Sequence, residues 1–478
     1  MRQVLSSLLF ISCFCILSCG NASKQTNAET PGQASSVAQT PSLPKDSFPH
    51  GVIIKSVNCI SDPTQSYALY LPAKMKAKHV YPALFLFDSQ ARGTLPLEKY
   101  KDLAERYGFI LVCSNNSRNK LDVNTILSIT TNFFKDVIGR LPVDEQNLFT
   151  GGFSGGARVA IGIALQDTRV KGVIANSAGF DPSQEPLRKD VCFVGLVGDE
   201  DFNLSELKTT QLSLNNLGNT NDLLIFHGKH DWAPVNDMDK AFLLLTLEGI
   251  RAKRMEPNDS IVNASFAADE HEARKIMNSK SDILTRIAAA HLMTLYYAGI
   301  KPVDKYKLDE GTYSLPEYNA ARAKEKEDAR KEQDRQNEYA RYFQQKDVKW
   351  WRGEIARLLG EVSSSKNKET VSGDKRLIAF LSLAAFMNVN AAMEQDARPQ
   401  AQDLLTIYRL VDPANAEWAY VSACLEMRNS NTAGALALLE QAVNLGFNEL
   451  DRVRAQKEFQ PIVNDARFNE ILGKIKVE

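Results

Sequence analysis

The chain has little of what a metal centre, a disulfide framework or a nucleic-acid surface would need. Its 478 residues include six histidines and seven cysteines. Three cysteines, Cys13, Cys15 and Cys19, crowd the N-terminus, and Cys59, Cys113, Cys192 and Cys424 show no C-x-x-C spacing. Cys113 and Cys192 fall at the edges of apolar runs, where small buried thiols are common. No cluster of metal-ligating residues is visible, so no metal and no cofactor are expected. A net charge of -1 with 24% charged residues offers no basic field for a polyanion, which argues against nucleic-acid partners. Long apolar runs are also scarce. The one at Val4–Leu17 is too short for a comfortable membrane span, and no later segment is expected to cross a bilayer.

What is present is chemistry at a turn. Thr150–Gly156 reads T-G-G-F-S-G-G, between a strand-like run at Asn147–Thr150 and an alanine-rich helical run at Ala157–Gln166. A G-x-S-x-G sequence in a strand-turn-helix setting is a nucleophile elbow. The turn is tight enough to demand small flanking residues, here Gly152 and Gly156, and it places the serine at a helix N-terminus where backbone N–H groups point outward. The plainer alternative is a glycine-rich turn whose serine caps the helix.

The order of residues downstream favours chemistry. An apolar run at Val191–Val197 leads into G-D-E-D-F-N (Gly198–Asn203), and another at Leu223–Phe226 leads into H-G-K-H-D-W-A-P (His227–Pro234). Serine, then an acid after a later strand, then histidine after the next is the order of a Ser-acid-His triad on a parallel sheet. Ser154 needs a base to take its proton, the imidazole of His230 is of the type that serves as one, and a carboxylate must orient the ring. Asp201 is the favoured acid with Asp199 second. His230 is favoured over His227, which ends an apolar strand. His50, His79, His271 and His291 have no neighbouring motif.

On Gly152–Gly156, Gly198–Asn203 and His230–Pro234, the stretch from about residue 50 to about residue 251 resembles the α/β-hydrolase superfamily, and within it compact esterases of the feruloyl-esterase and polyhydroxybutyrate-depolymerase type. The resemblance implies an oxyanion hole formed by the N–H of Gly155 and one from the loop Asp88–Gly93, with Ser89 preferred and Gln90 its alternative. Many relatives carry His-Gly where this chain has Phe87-Asp88, which predicts a narrower or displaced hole. Independently of the triad, short apolar runs at Pro82–Phe87 and Gly108–Cys113 alternate with helical spacing at Pro96–Arg106 and Asn124–Gly139, the pattern of parallel α/β units. Gly51–Leu71 reads as two antiparallel strands joined near Asp62-Pro63.

The ends of the chain follow other rules. Arg2 and the apolar Val4–Leu17 read as a secretory signal, and Ile16-Leu17-Ser18-Cys19 resembles the bacterial lipobox, in which the cysteine carries lipid. The expectation is a lipid anchor on Cys19, membrane attachment in the bacterial cell envelope, and a disordered tether. After about Asn258 the pattern turns helical. Residues 315–349 form a charged helical stretch in which eleven of the fourteen residues from Arg322 to Arg335 are charged, the mark of a solvated helix. Leu404-Leu405 recurs as Leu438-Leu439 and Tyr408 as Ala442, an offset of 34 residues that resembles tetratricopeptide repeats. Such repeats hold a peptide or protein partner in a groove, or serve as a rigid cap.

The expected organisation is a signal peptide at 1–18, a tether at 19–47, an α/β-hydrolase domain at 48–255, a helical connector at 256–375 and helical repeats at 376–478. The expected function is a membrane-anchored serine hydrolase acting on a small-molecule or glycan-linked carboxylic ester. The alternatives are an envelope adaptor without catalysis and a serine peptidase.

Overall fold

The structure is a computed structural model describing residues 48–475. The signal segment, the tether and Cys19 lie outside the described residues.

The chain divides into two compact units. The first carries an eight-stranded sheet: β1 (Ile53–Asn58), β2 (Ser66–Tyr70), β3 (Tyr81–Phe87), β4 (Ile110–Ser114), β5 (Val143–Phe153), β6 (Val170–Asn176), β7 (Cys192–Gly198) and β8 (Asn221–Phe226). Their order is β1-β2-β4-β3-β5-β6-β7-β8. β1 and β2 enter antiparallel, and β4, β3, β5, β6 and β7 then run parallel. The predicted apolar runs form these strands because both faces are covered: every residue of β4 and β7 is buried. Between them lie α1 (Thr94–Tyr107), α2 (Val123–Arg140), α3 (Gly155–Gln166) and α4 (Leu204–Leu217), and α5 (Val235–Arg251) follows β8. Asp122 caps α2 by accepting from the Thr125 amide.

The first unit continues to Leu308. Helix α6 (Asp259–Met277) contributes Val262 and Ala273, and α7 (Ile283–Tyr297) contributes Met293, Tyr296 and Tyr297, to the same core as the sheet. Arg251, at the end of α5, donates to the carbonyls of Leu295, Tyr296 and Ala298, satisfying the open C-terminal end of α7.

The second unit is helical: α8 (Glu310–Ser314), α9 (Pro316–Gln345), α10 (Val348–Ser364), α11 (Lys368–Glu394), α12 (Arg398–Val411), α13 (Ala416–Arg428), α14 (Thr432–Asn444), α15 (Leu450–Ala455) and α16 (Ala466–Lys474). The loops Gly198–Ser205 and His227–His230, which leave β7 and β8, group with these helices. The charged stretch at 315–349 is two helices, because Asp347 accepts from the Trp350 amide and starts α10 anew. Trp350 still meets Tyr342 edge-on at 4.9 Å, across that break. Contrary to expectation, α11 is long and apolar enough by composition to cross a membrane. Its Leu377, Leu381, Ala385 and Val389 are instead buried in this unit's own core, where a long core helix needs the same composition. Helices α12 and α14 begin at the offset of the sequence repeat.

Gly172 of β6 lies directly under α5: a Cβ there would stand 2.4 Å from Leu245 Cδ2. Leu245 is fully buried. Leu245→Ala is expected to destabilise the protein by about 2–5 kcal/mol, read from the urea midpoint. A change under about 0.5 kcal/mol, the ordinary surface range, would show that this contact is not part of the core.

Candidate active site

β5 runs to Phe153, α3 starts at Gly155, and Ser154 alone makes the turn, at φ 55° and ψ -119°. A positive φ on a residue with a Cβ is uncommon and strained. Ser154 holds it because its amide donates to Asn176 O at 2.8 Å and its neighbours cannot give way. A Cβ on Gly152 would lie 2.4 Å from the Gly156 backbone, and one on Gly156 would lie 2.0 Å from Phe87 O. Glycine is required at both places by close approach. The Ser154 side chain makes no capping hydrogen bond to α3, so the helix-cap alternative falls away. Gly155 opens α3, where amides lack intrahelical partners.

The loop after β3 is organised by Asp88, which the sequence reading noted only as a departure. Its fully buried carboxylate accepts from the Gln90 amide (2.9 Å), from Arg92 Nε and Nη2 (2.9 Å each) and from Trp232 Nε1 (2.9 Å). At the Phe87-Asp88 departure, a carboxylate fixes the loop. Ser89 is buried, and its carbonyl accepts from the Asn119 amide at 2.9 Å. Asn119 also lies over the elbow, its Oδ1 1.8 Å from where a Gly155 Cβ would stand. Asn115 and Asn116 fasten the sheet edge, the first donating to Ser66 Oγ at 3.1 Å and the second accepting from the Ser66 amide at 2.7 Å.

Asn176, buried at the end of β6, was also missed. Besides receiving the Ser154 amide, its side chain donates to Asp231 O (2.8 Å) and accepts from the Ala233 amide (2.7 Å). It thereby pins the segment that follows His230. An asparagine closing the strand after the Ser154 turn was the available signal.

The loops after β7 and β8 hold two aspartate-histidine pairs. Asp201, fully buried, faces His230 Nδ1 with both oxygens at 3.0 Å, and the His230 side chain is 20% exposed. The Asn203 amide donates to Asp201 at 2.9 Å, and the Phe202 ring stacks on the His230 ring at 4.4 Å. Asp199 instead meets His227 Nδ1 at 2.9 Å and accepts from the Gly228 amide at 3.0 Å. His227 is 88% exposed. Its hydrogen bond with Asp199 raises the His227 pKa above the ordinary imidazole value. Partial burial pushes the Asp199 pKa upward, but the His227 and Gly228 bonds outweigh it and hold the carboxyl below its usual range. A ring whose Nδ1 donates to a buried carboxylate keeps Nε2 as a proton acceptor. His230 has that environment, whereas His227 faces water. Among the described residues no group of acids, histidines and cysteines suits a metal ion.

The sheet order and the elbow define the first unit as an α/β-hydrolase fold. No family model and no curated protein matches the chain. Similar solved structures include the fluorophosphonate-binding serine hydrolase FphF of Staphylococcus aureus, at 14% identity over 41% of this chain and 98% of that one, with a TM-score of 0.35. A ferulic acid esterase is 17% identical over 40% of this chain and 94% of its own, with a TM-score of 0.32. An esterase of the archaeon Pyrobaculum calidifontis is 12% identical over 41% and 83%, also at 0.32. The likeness is one of fold.

If the turn at Ser154 is strained, glycine should suit it better than alanine, the reverse of the usual preference. Ser154→Gly is expected to be more stable than Ser154→Ala by roughly 1 kcal/mol, compared by urea unfolding. Equal midpoints would remove the strain.

Proposed function

We propose that this chain is a serine hydrolase acting on carboxylic esters, with Ser154, His230 and Asp201 as one catalytic unit. The observation that carries the reading is Ser154 itself, a serine held at positive φ on a strand-helix junction without a capping role. Strain of on the order of 1–3 kcal/mol persists where the surrounding structure over-determines it, often at functional sites. The buried Asp201–His230 pair supports it with a base already oriented through Nδ1.

In this reading Ser154 Oγ attacks the ester carbonyl carbon while His230 Nε2 takes its proton. Asp201 stabilises the resulting imidazolium without itself being protonated. The oxyanion is held by the amides of Gly155 and Ser89. As the tetrahedral adduct collapses, the carbon–oxygen bond to the alcohol breaks and His230 protonates the departing alkoxide. Water, deprotonated by the same nitrogen, then attacks the acyl-serine, releasing the acid and restoring Ser154. Asp88 supports the oxyanion assignment by fixing the backbone around Ser89 through Gln90, Arg92 and Trp232. We further propose that Cys19 carries lipid and tethers the enzyme in the bacterial envelope.

A fluorophosphonate probe should label the wild-type protein on Ser154 and fail on Ser154→Ala. Asp201→Asn should lower kcat on a p-nitrophenyl ester by on the order of 10⁴-fold. Equal labelling of wild type and Ser154→Ala would sink the assignment, and a folded wild type that never labels would favour a non-catalytic adaptor. A substrate panel of esters against peptides distinguishes esterase from peptidase. For the anchor, Cys19→Ser should move the protein from the membrane to the soluble fraction of the cells, and a variant that stays membrane-bound would count against lipidation.

A further inference from the structure

The loop that carries Asp201 is held by two helices far along the chain. On α9, Glu332, Arg335 and Gln336 lie at i, i+3 and i+4 and share one face. On α11, Asp374, Lys375 and Arg376 are consecutive. Arg335 pairs with the buried Asp374 at 2.6 Å, joining the two helices. Arg376 makes a bidentate pair with Glu332, its Nε and Nη2 each 2.7 Å from a carboxylate oxygen. Both side chains are largely buried, at 13% and 16% exposure, so the guanidinium is aimed before it reaches the loop. Its remaining arm, Nη1, donates to Asp199 O at 2.8 Å. Gln336, itself buried, donates from Nε2 to Phe202 O at 3.0 Å, and Lys375 Nζ pairs with Glu200 at 2.5 Å.

Asp199, Glu200 and Phe202 are thus each fastened from α9 or α11, and Asp201 sits among them with its carboxylate left for His230. The two carbonyl contacts do not depend on which side chains the loop carries, so they set the path of its backbone. Phe202, whose carbonyl takes Gln336, also stacks on the imidazole.

We infer that Arg376 and Gln336, with Glu332 behind Arg376, are positioning residues that hold the Asp201 loop in the geometry in which its carboxylate meets His230. This inference rests on the serine-hydrolase reading. It assigns the helical region a part in catalysis: the acid of the triad is set in place by side chains from outside the sheet domain's own sequence. A misplacement of about 1 Å in a catalytic group costs up to roughly a hundredfold in rate.

The test uses the full-length protein with a p-nitrophenyl ester and a fluorophosphonate probe. Arg376→Met should lower kcat roughly ten- to a hundredfold, with KM nearly unchanged and the labelling rate falling in step. Arg376→Lys should recover part of the rate. In an Asp201→Asn background the Arg376→Met loss should nearly vanish, since a residue acting through Asp201 has nothing left to position. If Arg376→Met does not fold, Gln336→Leu is read in the same way. The same fold-loss with and without Asp201, or an effect on KM alone, would overturn the inference. Labelling that persists in Ser154→Ala would instead overturn the underlying hydrolase reading, so the two failures are separable.

Discussion

Between Phe153 and Gly155 the backbone passes from strand to helix through a single residue, and that residue carries a side chain. The turn exists because Gly156 lies against the carbonyl of Phe87 and Gly152 lies against Gly156, contacts that leave no room for a methyl group. The strain in Ser154 is tolerated because β6 holds its amide through Asn176 O, and Asn176 in turn grips Asp231 and Ala233. A single buried asparagine therefore links the Ser154 turn to the segment just beyond His230.

Carboxylates do much of the remaining organising. Asp88 gathers Gln90, Arg92 and Trp232, and so sets the loop on which the second oxyanion donor is proposed. Asp201 meets His230 in a buried setting, while Asp199, two residues earlier, pairs with an exposed histidine. Both pairs come from the same two loops, and burial separates a pair suited to orienting a base from a surface pair of little energetic weight.

The helical region takes on a meaning that repeat periodicity alone does not suggest. Stacked helices bury their faces on one another, and α11 to α14 do so around Leu381, Leu405, Tyr420 and Leu439. Yet α9 and α11 also spend buried polar groups on the loop after β7, which a merely stacking helix would not need. Desolvating Arg376, Glu332 and Gln336 is unfavourable unless every donor finds a partner. The partners they find are each other and the loop's carbonyls.

Much of this was readable before any coordinates. Buried parallel strands appear as unbroken apolar runs, and a strand-to-helix turn that excludes side chains appears as G-x-S-x-G, because both constraints act on neighbours in sequence. The sequence also supplied both aspartates and both histidines as candidates. It did not determine their pairing, since Asp199 and Asp201, like His227 and His230, share a loop, and only the course of the backbone chooses between them. Nor could it show Asp88 reaching Trp232, Arg251 closing α7, or Arg376 reaching the acid loop, as these bonds join residues far apart in the chain. The strand-to-helix turn at Ser154 is local and was written in the residues, while the placing of Asp201 and His230 depends on long-range polar contacts that exist only in the folded chain.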